Sequence, residues 1–428
     1  MAKFELKVHD YRHIVSLDII TLETIMPSHL LARPHLFDAL DDQPLDAMLT
    51  LLHLLRNDPR SDKIDLGIGV YGDDNGCTPV MQAAKMAERN LIETQTSKAY
   101  LAAEGDAHFI NLLAQRVLGG AEVNRYCGVQ TPGGTGALRL AAELIHKANP
   151  EARVWLGTPT WINHHALIRS AGLHILEHPF FDQATQSVLF DEMMTALESA
   201  RTGDVVLLHA CCHNPTGADF TPAQWRTIGE LVNRKGLIPL IDIAYQGLGH
   251  GMEADAAAMR TLLDSVPEAI IAASCSKNFG LYRERIGALW VKADSATAAL
   301  RARGNLILIA RAMWSMPPDH GAAVVRTILD STDLTQIWLT ELEQMRTRLN
   351  SMRAELAKAV PQLASVAQQS GMFALLPLNR EAVADLRVKH GIYMVENGRM
   401  NIAGLQAGNL PRFAAALKPY LQGAQHER

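Results

Sequence analysis

The chain has 428 residues, of which 48% are hydrophobic and 20% are charged, and its formal net charge at pH 7 is −5. That length allows two domains around a large core, and the composition is ordinary for a globular protein rather than a disordered chain. The negative balance argues against a nucleic-acid partner, which requires a basic surface. No apolar run reaches the roughly 20 residues that span a bilayer, so no membrane partner is expected either.

The five cysteines show neither the spacing of a disulfide framework nor that of a metal site. Cys211 and Cys212 are adjacent, which suits neither a bridge nor a chelate, and we expect no metal. An odd number of cysteines in a chain of this length is typical of a reducing compartment. Asp18 and Glu23 interrupt the only apolar stretch near the start, so the pattern of a signal peptide is missing. We therefore expect a cytoplasmic protein.

The first part of the chain predicts helices around a glycine-rich segment. Residues 1–35 have no clear period and are expected to form an extension, whereas apolar residues recur at helical spacing over 44–55 and 78–97. Between these helices, residues 67–72 (GIGVYG) match the G-x-G-x-x-G spacing of a dinucleotide-binding loop. That fingerprint requires a helix to begin within the glycines, whereas residues 73–76 (DDNG) favour a turn. The segment therefore argues against a nicotinamide site.

Nearly all-apolar runs alternate with helical stretches further along the chain, at residues 153–156, 204–209, 237–242, 269–274 and 287–291. Strands of this kind are covered on both faces, and the intervening helices predict a mostly parallel sheet in an α/β fold. Ligands of such sheets bind beyond the carboxyl ends of the strands, where polar residues follow several of these runs. A long charged helix from about residue 333 and a smaller strand-containing region at 371–405 come next.

The strongest chemical signal lies in residues 274–285 (SCSKNFGLYRER). Lys277 stands just past the carboxyl end of an apolar run, and an amine kept partly out of water can form a Schiff base with an aldehyde cofactor. Ser274 and Arg285 offer a hydroxyl and a fork of donors to a phosphate, which indicates pyridoxal phosphate. The alternative is a solvent-exposed lysine that merely follows a strand.

A second signal is the run 133–136 (GGTG) before a helical stretch. Glycines at the start of a helix expose backbone N–H groups, and the helix dipole favours an anion there. Thr135 adds a hydroxyl, but the Gly-Lys-Ser/Thr ending of a Walker loop is missing. A plain tight turn is the alternative to an anion site.

Polar residues also end two other strands. Asp242 could hold a pyridine nitrogen protonated, and Tyr245, three residues later, could donate a hydrogen bond to the 3-oxygen of the same ring. Asn214 ends another strand and could share that oxygen. A helix cap and a routine Asn-Pro turn are the alternatives. Arg311 and Arg399 have the shape to bind a carboxylate with two parallel hydrogen bonds, unless both are surface charges.

Taken in order, these segments resemble the class I aspartate/aromatic aminotransferases. The resemblance covers roughly residues 36–420 and is carried by 131–136 (TPGGTG), 159–164 (PTWINH), 213–217 (HNPTG), 242–245 (DIAY), 274–285 and 398–404 (GRMNIAG). It implies a pyridoxal-phosphate-dependent transferase of fold type I and a homodimer with shared active sites. It also implies an arm at 36–77 that contributes to the small domain, a large cofactor-binding domain at 78–340 and a small α/β domain at 341–428.

The resemblance implies a role for each residue around the cofactor. Lys277 would be the Schiff-base lysine that also moves the substrate α-proton, and Asp242, backed by His164, would pair with the pyridine nitrogen. Tyr245 and Asn214 would bind the 3-oxygen. Trp161 would stack on the ring, and the phosphate would be held by Gly134, Thr135, Ser274 and Arg285, with Tyr100 from the other subunit.

The resemblance also implies how substrate binds. Arg399 would bind the α-carboxylate, and Arg311 of the other subunit would bind the distal carboxylate of aspartate or glutamate. Gly69 and Val70 would fall on a mobile segment that closes over the substrate.

One departure concerns specificity. Residues 314–316 (Trp-Ser-Met) stand where members usually have Tyr-Ser-Asn or Tyr-Ser-Ser, so a thioether, Met316, replaces the polar neighbour of the distal arginine. Residues 315–321 (SMPPDHG) are similar to a bacterial subgroup of tyrosine or aromatic aminotransferases. We therefore expect transamination of tyrosine and phenylalanine, and also of aspartate and glutamate, with 2-oxoglutarate as amino acceptor.

Three alternatives compete with this expectation. A dedicated aspartate aminotransferase is favoured by Arg311 and disfavoured by Met316. A regulator that senses pyridoxal phosphate would carry a DNA-binding domain ahead of the fold, for which 35 residues are too few. A hydride-transferring dehydrogenase would require residues 67–72 to open a helix.

Overall fold

The computed structural model describes residues 35–42, 47–120 and 123–422. Residues 35–42 and 47–422 belong to separate compact units, and the first contains a short 3₁₀ helix, Leu36–Ala39. The extension predicted at 1–35 lies outside the described residues except for its last position. Within the described ranges, no helix is both long and apolar enough to cross a membrane.

The regular elements follow each other as the alternation of patterns predicts. The α-helices of the described residues are α1 (Ala47–Asn57), α2 (Gln82–Thr94), α3 (Ala107–Val117), α4 (Gly133–Ala148), α5 (Asn163–Ser170), α6 (Phe190–Leu197), α7 (Pro222–Lys235), α8 (Met252–Ser265), α9 (Ala296–Trp314), α10 (His320–Asp330), α11 (Thr332–Ala359), α12 (Arg380–His390) and α13 (Leu410–Gln422). The strands are β1 (Ile64–Asp65), β2 (Tyr126–Pro132), β3 (Arg153–Thr158), β4 (His174–Pro179), β5 (Phe181–Asp182), β6 (Ser187–Val188), β7 (Val205–His209), β8 (Ile238–Ile243), β9 (Ala269–Ser274), β10 (Ile286–Lys292), β11 (Phe373–Leu375), β12 (Ile392–Tyr393) and β13 (Arg399–Asn401).

The centre of the fold is a seven-stranded sheet in the order β2-β10-β9-β8-β7-β3-β4. Strand β10 is antiparallel to both of its neighbours, and the other pairings are parallel. The predicted apolar runs correspond to β3, β7, β8, β9 and β10, so the predicted α/β class with a mostly parallel sheet is confirmed. The sequence pattern did not reveal β2 and β4, because these are the two edge strands and carry polar or partly exposed residues.

Helices cover both faces of this sheet, because each central strand sends apolar side chains to both sides. In β9, Ile270 and Ala272 belong to one core cluster, whereas Ile271 and Ala273 belong to the other. This is the two-residue alternation of an extended strand, here apolar in both directions. The first cluster is built with α4, α5 and α9, and the second with α7, α8, α10 and α11. Burying an isoleucine side chain in such a core contributes about 1.5–3 kcal/mol.

The helix predicted at 78–97 is shorter in the structure, where α2 runs from Gln82 to Thr94. Its first turn has no side-chain cap of its own. Instead, the carboxylate of Glu341, on α11, accepts hydrogen bonds from the backbone N–H groups of Gln82 at 2.6 Å and Ala83 at 3.0 Å. A long-range cap of this kind fixes where the helix begins, and no local pattern signals it.

The C-terminal region is tied to residues from the front of the chain. Strand β1 pairs in parallel with β12, with Ile64 opposite Ile392, and β11 pairs antiparallel with β13. The long helix α11 precedes these strands, and its first turn is capped by the Ser331 hydroxyl, which accepts from Leu334 N–H. The division into a large domain ending at residue 340 and a small domain stays a prediction.

Candidate active site

A cavity of about 210 Å³ opens at the carboxyl edge of β7, β8 and β9. Its lining residues are Gly69, Gly134, Thr135, Leu138, Trp161, His209, Asn214, Asp242, Ala244, Tyr245, Ser274, Ser276, Lys277, Tyr282 and Arg285. The structure thus brings together most of the residues predicted from six separate segments. A larger groove of about 770 Å³ runs beside α3 and α9, but it is lined by none of these residues.

Lys277 lies in the loop that follows β9, as predicted, and its ammonium group is 4.8 Å from the centroid of the Tyr245 ring. Burial lowers the pKa of Lys277 to about 8, although the nearby charge of Asp242 acts in the opposite direction. At pH 7.5 an amine with that pKa is neutral in roughly a quarter of the molecules, against about one in a thousand at the ordinary value. The site therefore holds a nucleophile and a base that works near neutral pH.

Asp242 is at the end of β8 and faces a buried histidine behind the cavity. Its Oδ2 is 3.2 Å from His164 Nε2, and the Thr160 hydroxyl is 2.8 Å from His164 Nδ1. Burial raises the pKa of Asp242, but the hydrogen bond from His164 and the charges around it outweigh burial and hold the pKa below its usual value. Asp242 is therefore a carboxylate at physiological pH. It can hold a proton on a basic ring nitrogen beside it.

Tyr245 and Asn214 meet on another side of the cavity. The Asn214 amide donates a hydrogen bond of 3.4 Å to the Tyr245 hydroxyl, and burial raises the pKa of that phenol. Asn214 Oδ1 is buried and finds no hydrogen-bond partner among the described residues, and the same holds for His209 Nε2 and Arg399 Nε. Each such atom costs about 1–3 kcal/mol when nothing satisfies it. Unpaired polar atoms around one cavity indicate a polar ligand.

Three elements form a cradle for an anion at the opposite end of the cavity. Helix α4 begins at Gly133 and presents Gly134 and Thr135 in its first turn, while Ser274 ends β9 and Arg285 precedes β10. A Cβ added at Gly133, whose φ is +72°, would stand 2.5 Å from Arg285 Nη2, and one added at Gly134 would stand 3.0 Å from Ser274 Cβ. The glycines therefore allow the arginine and serine to approach the helix N-terminus, whose N–H groups favour a phosphate.

Arg399 opens β13 and approaches the cavity from the C-terminal region. Its Nη2 donates to the Gly67 carbonyl at 3.0 Å, and its guanidinium lies 4.7 Å from the centroid of the Phe373 ring. Burial lowers the pKa of Arg399. The guanidinium stays charged because the ordinary pKa of an arginine lies far above physiological pH. Arg399 Nε finds no hydrogen-bond partner among the described residues, so this guanidinium can still donate to a carboxylate.

Two predicted residues lie elsewhere. Tyr100 is 94% exposed, and Arg311 is an exposed residue in the last turn of α9. Neither lines the cavity around Lys277. Tyr100 instead borders a second cavity, of about 540 Å³, together with Met316. The roles expected for Tyr100 and Arg311 across a subunit interface stay predictions.

Met316 makes a contact that the sequence did not suggest. Its Sδ accepts a hydrogen bond from the backbone N–H of Leu101 at 3.3 Å. The thioether therefore joins the end of α9 to the segment that carries Tyr100. Both elements supply residues for which a role in substrate or cofactor binding is predicted.

Other residues of the site escaped sequence reasoning. Tyr282 lines the cavity, and its hydroxyl accepts from Tyr71 N–H at 2.8 Å, although the two residues are 211 positions apart. His209 ends β7, and burial lowers its pKa to about 3, so its ring is neutral. The only available signal was position, since His209 ends an apolar run and Tyr282 falls within the lysine stretch.

Two hydrogen-bond networks, one around Asp219 and one around Arg353, hold the loop that carries Asn214. Asp219 accepts from the backbone N–H groups of Cys212 and His213 at 2.9 and 3.0 Å and also from the Ser370 hydroxyl. Arg353, only 1% exposed, donates to the carbonyls of Val366, Ser370, Gly371 and Phe373. These bonds hold the Asn214 loop against the residues that support Arg399.

The site combines a lysine of lowered pKa and a carboxylate–histidine pair with an anion cradle at one end and an arginine at the other. This arrangement suits a phosphorylated aldehyde cofactor and an amino-acid substrate. Comparison with known proteins supports this interpretation of the site. Residues 61–417 match the family of class I and II aminotransferases. The chain belongs to this family, and the predicted family, enzyme class and pyridoxal phosphate cofactor are confirmed.

Individual relatives are similar over most of their length. A tyrosine aminotransferase of Rhizobium meliloti (strain 1021) is 51% identical over 385 residues, which are 89% of this chain and 98% of the relative. An aspartate aminotransferase of Escherichia coli (strain K12) is 41% identical over 392 residues, which are 89% of this chain and 99% of the relative. Among solved structures, one is of an aromatic-amino-acid aminotransferase from Burkholderia pseudomallei, covalently bound to pyridoxal phosphate. It superposes on this chain with a TM-score of 0.88 at 37% identity, and the match covers 90% of this chain and 100% of that one.

Proposed function

We propose that this aminotransferase moves the amino group of tyrosine and phenylalanine to 2-oxoglutarate, and that it also accepts aspartate and glutamate. The observation that carries the proposal is Lys277, with its lowered pKa, between the Asp242–His164 pair and the anion cradle. Similarity to a tyrosine aminotransferase at 51% identity supports the aromatic substrates.

The residues fit pyridoxal phosphate at each of its functional groups. The cradle of Gly134, Thr135, Ser274 and Arg285 suits the phosphate. Asp242 suits the pyridine nitrogen, and the Tyr245 hydroxyl and the Asn214 amide N–H suit the 3-oxygen as hydrogen-bond donors. Trp161 and Ala244 line the space between, where a flat ring fits.

Pyridoxal phosphate supplies an aldehyde that binds amines covalently and a protonated ring that accepts electrons as the substrate loses its α-proton. The protein residues then divide the remaining work. Asp242, kept ionised by His164, would hold a proton on the ring nitrogen. Lys277 Nζ would bind the aldehyde group and, being partly neutral near pH 7.5, would take and return the substrate α-proton. Arg399 orients the substrate through its carboxylate.

Specificity depends on the distal part of the substrate. We propose that Arg311 of the partner subunit binds a distal carboxylate and swings toward solvent when an aromatic ring is bound. A buried unpaired guanidinium beside the ring would cost several kcal/mol. Met316, whose sulfur accepts from Leu101 N–H, offers Arg311 a weak acceptor and packs well on an aromatic edge.

The substrate proposal is tested with Arg311→Leu. This change should lower kcat/KM for aspartate by ~100-fold or more, because it removes a charge-assisted pair worth ~3 kcal/mol. Phenylalanine should stay within about tenfold of wild type. Equal damage to both substrates would make Arg311 structural. A wild-type kcat/KM for aspartate far above that for tyrosine would favour the second candidate, a dedicated aspartate aminotransferase, which the relative at 41% identity supports.

A homodimer belongs to the same proposal. Tyr100 and Arg311 have side chains exposed outside their own cavity, and large apolar side chains on the helix that carries Arg311 are exposed as well, notably Leu300 and Leu308. A second copy would cover these side chains and bring Tyr100 and Arg311 to the other active site. Light scattering should give twice the chain mass, and a monomer with full activity would contradict shared sites. We also propose a cytoplasmic location, in keeping with five free cysteines.

A further inference from the structure

Residues 67–71 have no regular secondary structure and border the cavity at Gly69, and we call this segment the strap. Gly69 lines the cavity, and the strap is held at one end by the Tyr71 N–H bond to Tyr282, which lies in the lysine loop. A Cβ added at Gly69 would lie 3.4 Å from the Phe373 ring, so the strap also packs directly on the residue beneath Arg399.

Asn401 holds the middle of the strap. Its Nδ2 donates to the carbonyls of Ile68 at 2.6 Å and Val70 at 2.7 Å, on either side of Gly69. Its Oδ1 accepts from Ala403 N–H at 3.0 Å, and its backbone N–H donates to the Leu66 carbonyl at 2.7 Å. Both amide hydrogens are used, and the side chain is buried, with 3% exposed. The orientation of the amide is fixed, because the oxygen faces a donor and the nitrogen faces two acceptors.

Asn401 and Arg399 act on the same few peptide groups. They stand two positions apart on β13, so their side chains share one face of the strand. Arg399 Nη2 donates to the Gly67 carbonyl, and Asn401 Nδ2 donates to the carbonyls of Ile68 and Val70. A shift of the strap would therefore move the group that orients the Arg399 guanidinium. The Asn401 side chain itself bonds to Ile68, Val70 and Ala403, and none of these partners is a group that holds Lys277 or Asp242.

We propose that Asn401 is a positioning residue that fixes the strap over the cavity and thereby sets the affinity for the substrate carboxylate. The inference rests on the proposed function, in which Arg399 binds that carboxylate. We therefore expect a change at Asn401 to affect substrate binding rather than proton transfer. The Asn401 side chain contacts the strap and makes no hydrogen bond to Lys277 or Asp242.

The test is Asn401→Asp in the holoenzyme. This change keeps the side-chain size and the acceptor for Ala403 N–H, but it turns a second oxygen toward the Ile68 and Val70 carbonyls. Asn379→Asp is the matched control, because Asn379 caps α12 by accepting from Ala382 N–H and aspartate caps a helix equally well. The probe is 3-phenylpropionate, an aromatic carboxylate that lacks the amino group and cannot react.

Calorimetric titration should give a Kd for 3-phenylpropionate at least tenfold higher in Asn401→Asp, and within twofold of wild type in Asn379→Asp. Amide hydrogen exchange should become faster in peptides covering the strap and stay unchanged in β9. With phenylalanine as substrate, KM should rise while kcat stays within about threefold. Asn401→Ser, which is too short to reach both carbonyls but is uncharged, should change the Kd in the same direction and guards against misfolding of the aspartate variant.

An unchanged Kd and unchanged exchange of the strap in a folded variant would overturn the inference. Faster exchange throughout the protein, with loss of bound pyridoxal phosphate, would also overturn it, because Asn401 would then be a general structural residue. Failure of the proposed function is a separate result. It would appear as an absence of transamination in the wild type, whereas the exchange measurement reports on the strap in either case.

Discussion

Replacing His164 with phenylalanine tests the electrostatic core of the site. His164 Nε2 is 3.2 Å from Asp242 Oδ2, and both side chains are buried, with 1% and 7% exposed. In His164→Phe, burial would still raise the pKa of Asp242, but the hydrogen bond and charge of His164 would be gone, and only the weaker influences of His209 and Lys277 would still lower it. A phenylalanine ring can keep the edge-on packing against Trp161, whose ring centroid lies 5.2 Å away. The change therefore removes an interaction with little loss of volume.

The size of the effect follows from the kind of bond that is lost. A hydrogen bond to a charged group contributes about 1.5–3 kcal/mol. If that energy is lost from the transition state, kcat/KM should fall by roughly 10- to 150-fold. The pH dependence has a definite sign. A carboxylate with a raised pKa loses its charge as pH falls, so the acid limb of the kcat/KM profile should move to higher pH in the variant.

The assay is kcat/KM for phenylalanine and 2-oxoglutarate between pH 5 and pH 9. His165→Phe is the matched control, because His165 lies next in the chain and pairs with Glu177 at 2.8 Å, with 27% and 52% of the two side chains exposed. An exposed pair of this kind contributes little, so the control should behave as wild type. If His164→Phe shows the same acid limb and the same rate as His165→Phe, His164 does not keep Asp242 ionised.

Two further changes test the nucleophile and the support beneath the site. Lys277→Ala should abolish transamination and the visible absorption of lysine-bound cofactor, while pyridoxal phosphate still binds through the cradle; full turnover would contradict the assignment. Arg353→Met should lower the free energy of unfolding by about 3 kcal/mol in urea, because several buried carbonyls lose their donor. The control Arg346→Met removes an exposed partner of Glu343 and should cost ~0.5 kcal/mol or less; equal losses would refute the argument.

Sequence patterns predicted the parts of the fold and site that depend on local order. Strands β7, β8 and β9 are apolar in both directions, and Asp242, Ser274 and Lys277 stand at or just beyond their ends. Since the carboxyl ends of adjacent parallel strands meet at one edge, position alone was enough to gather these residues. The glycines of α4 were found in the same way, because a helix start can be read from its own sequence.

The remaining features depend on contacts between distant residues. Asn401 meets Ile68 across 333 positions, and Tyr282 meets Tyr71 across 211. Neither asparagine nor tyrosine is unusual in its local context, so no periodic pattern marks these residues. Arg353 is a similar case, since one charged residue on a long helix gives no sign that it is buried among carbonyls. Tyr100 and Arg311 add a further limit, because their predicted partners lie on another chain.

The unpaired atoms around the cavity connect the activity of the protein to its stability. Asn214 Oδ1, His209 Nε2 and Arg399 Nε are buried and find no hydrogen-bond partner among the described residues, and a buried polar atom costs about 1–3 kcal/mol when nothing satisfies it. Ligands that satisfy these atoms bind the folded state and shift the balance toward it. The networks of Arg353 and Asp219 lie directly beneath, where their hydrogen bonds offset part of the cost. The loop of residues 210–219 therefore carries both Asn214, which can bind a ligand, and the Asp219 carboxylate, whose hydrogen bonds hold the loop in place.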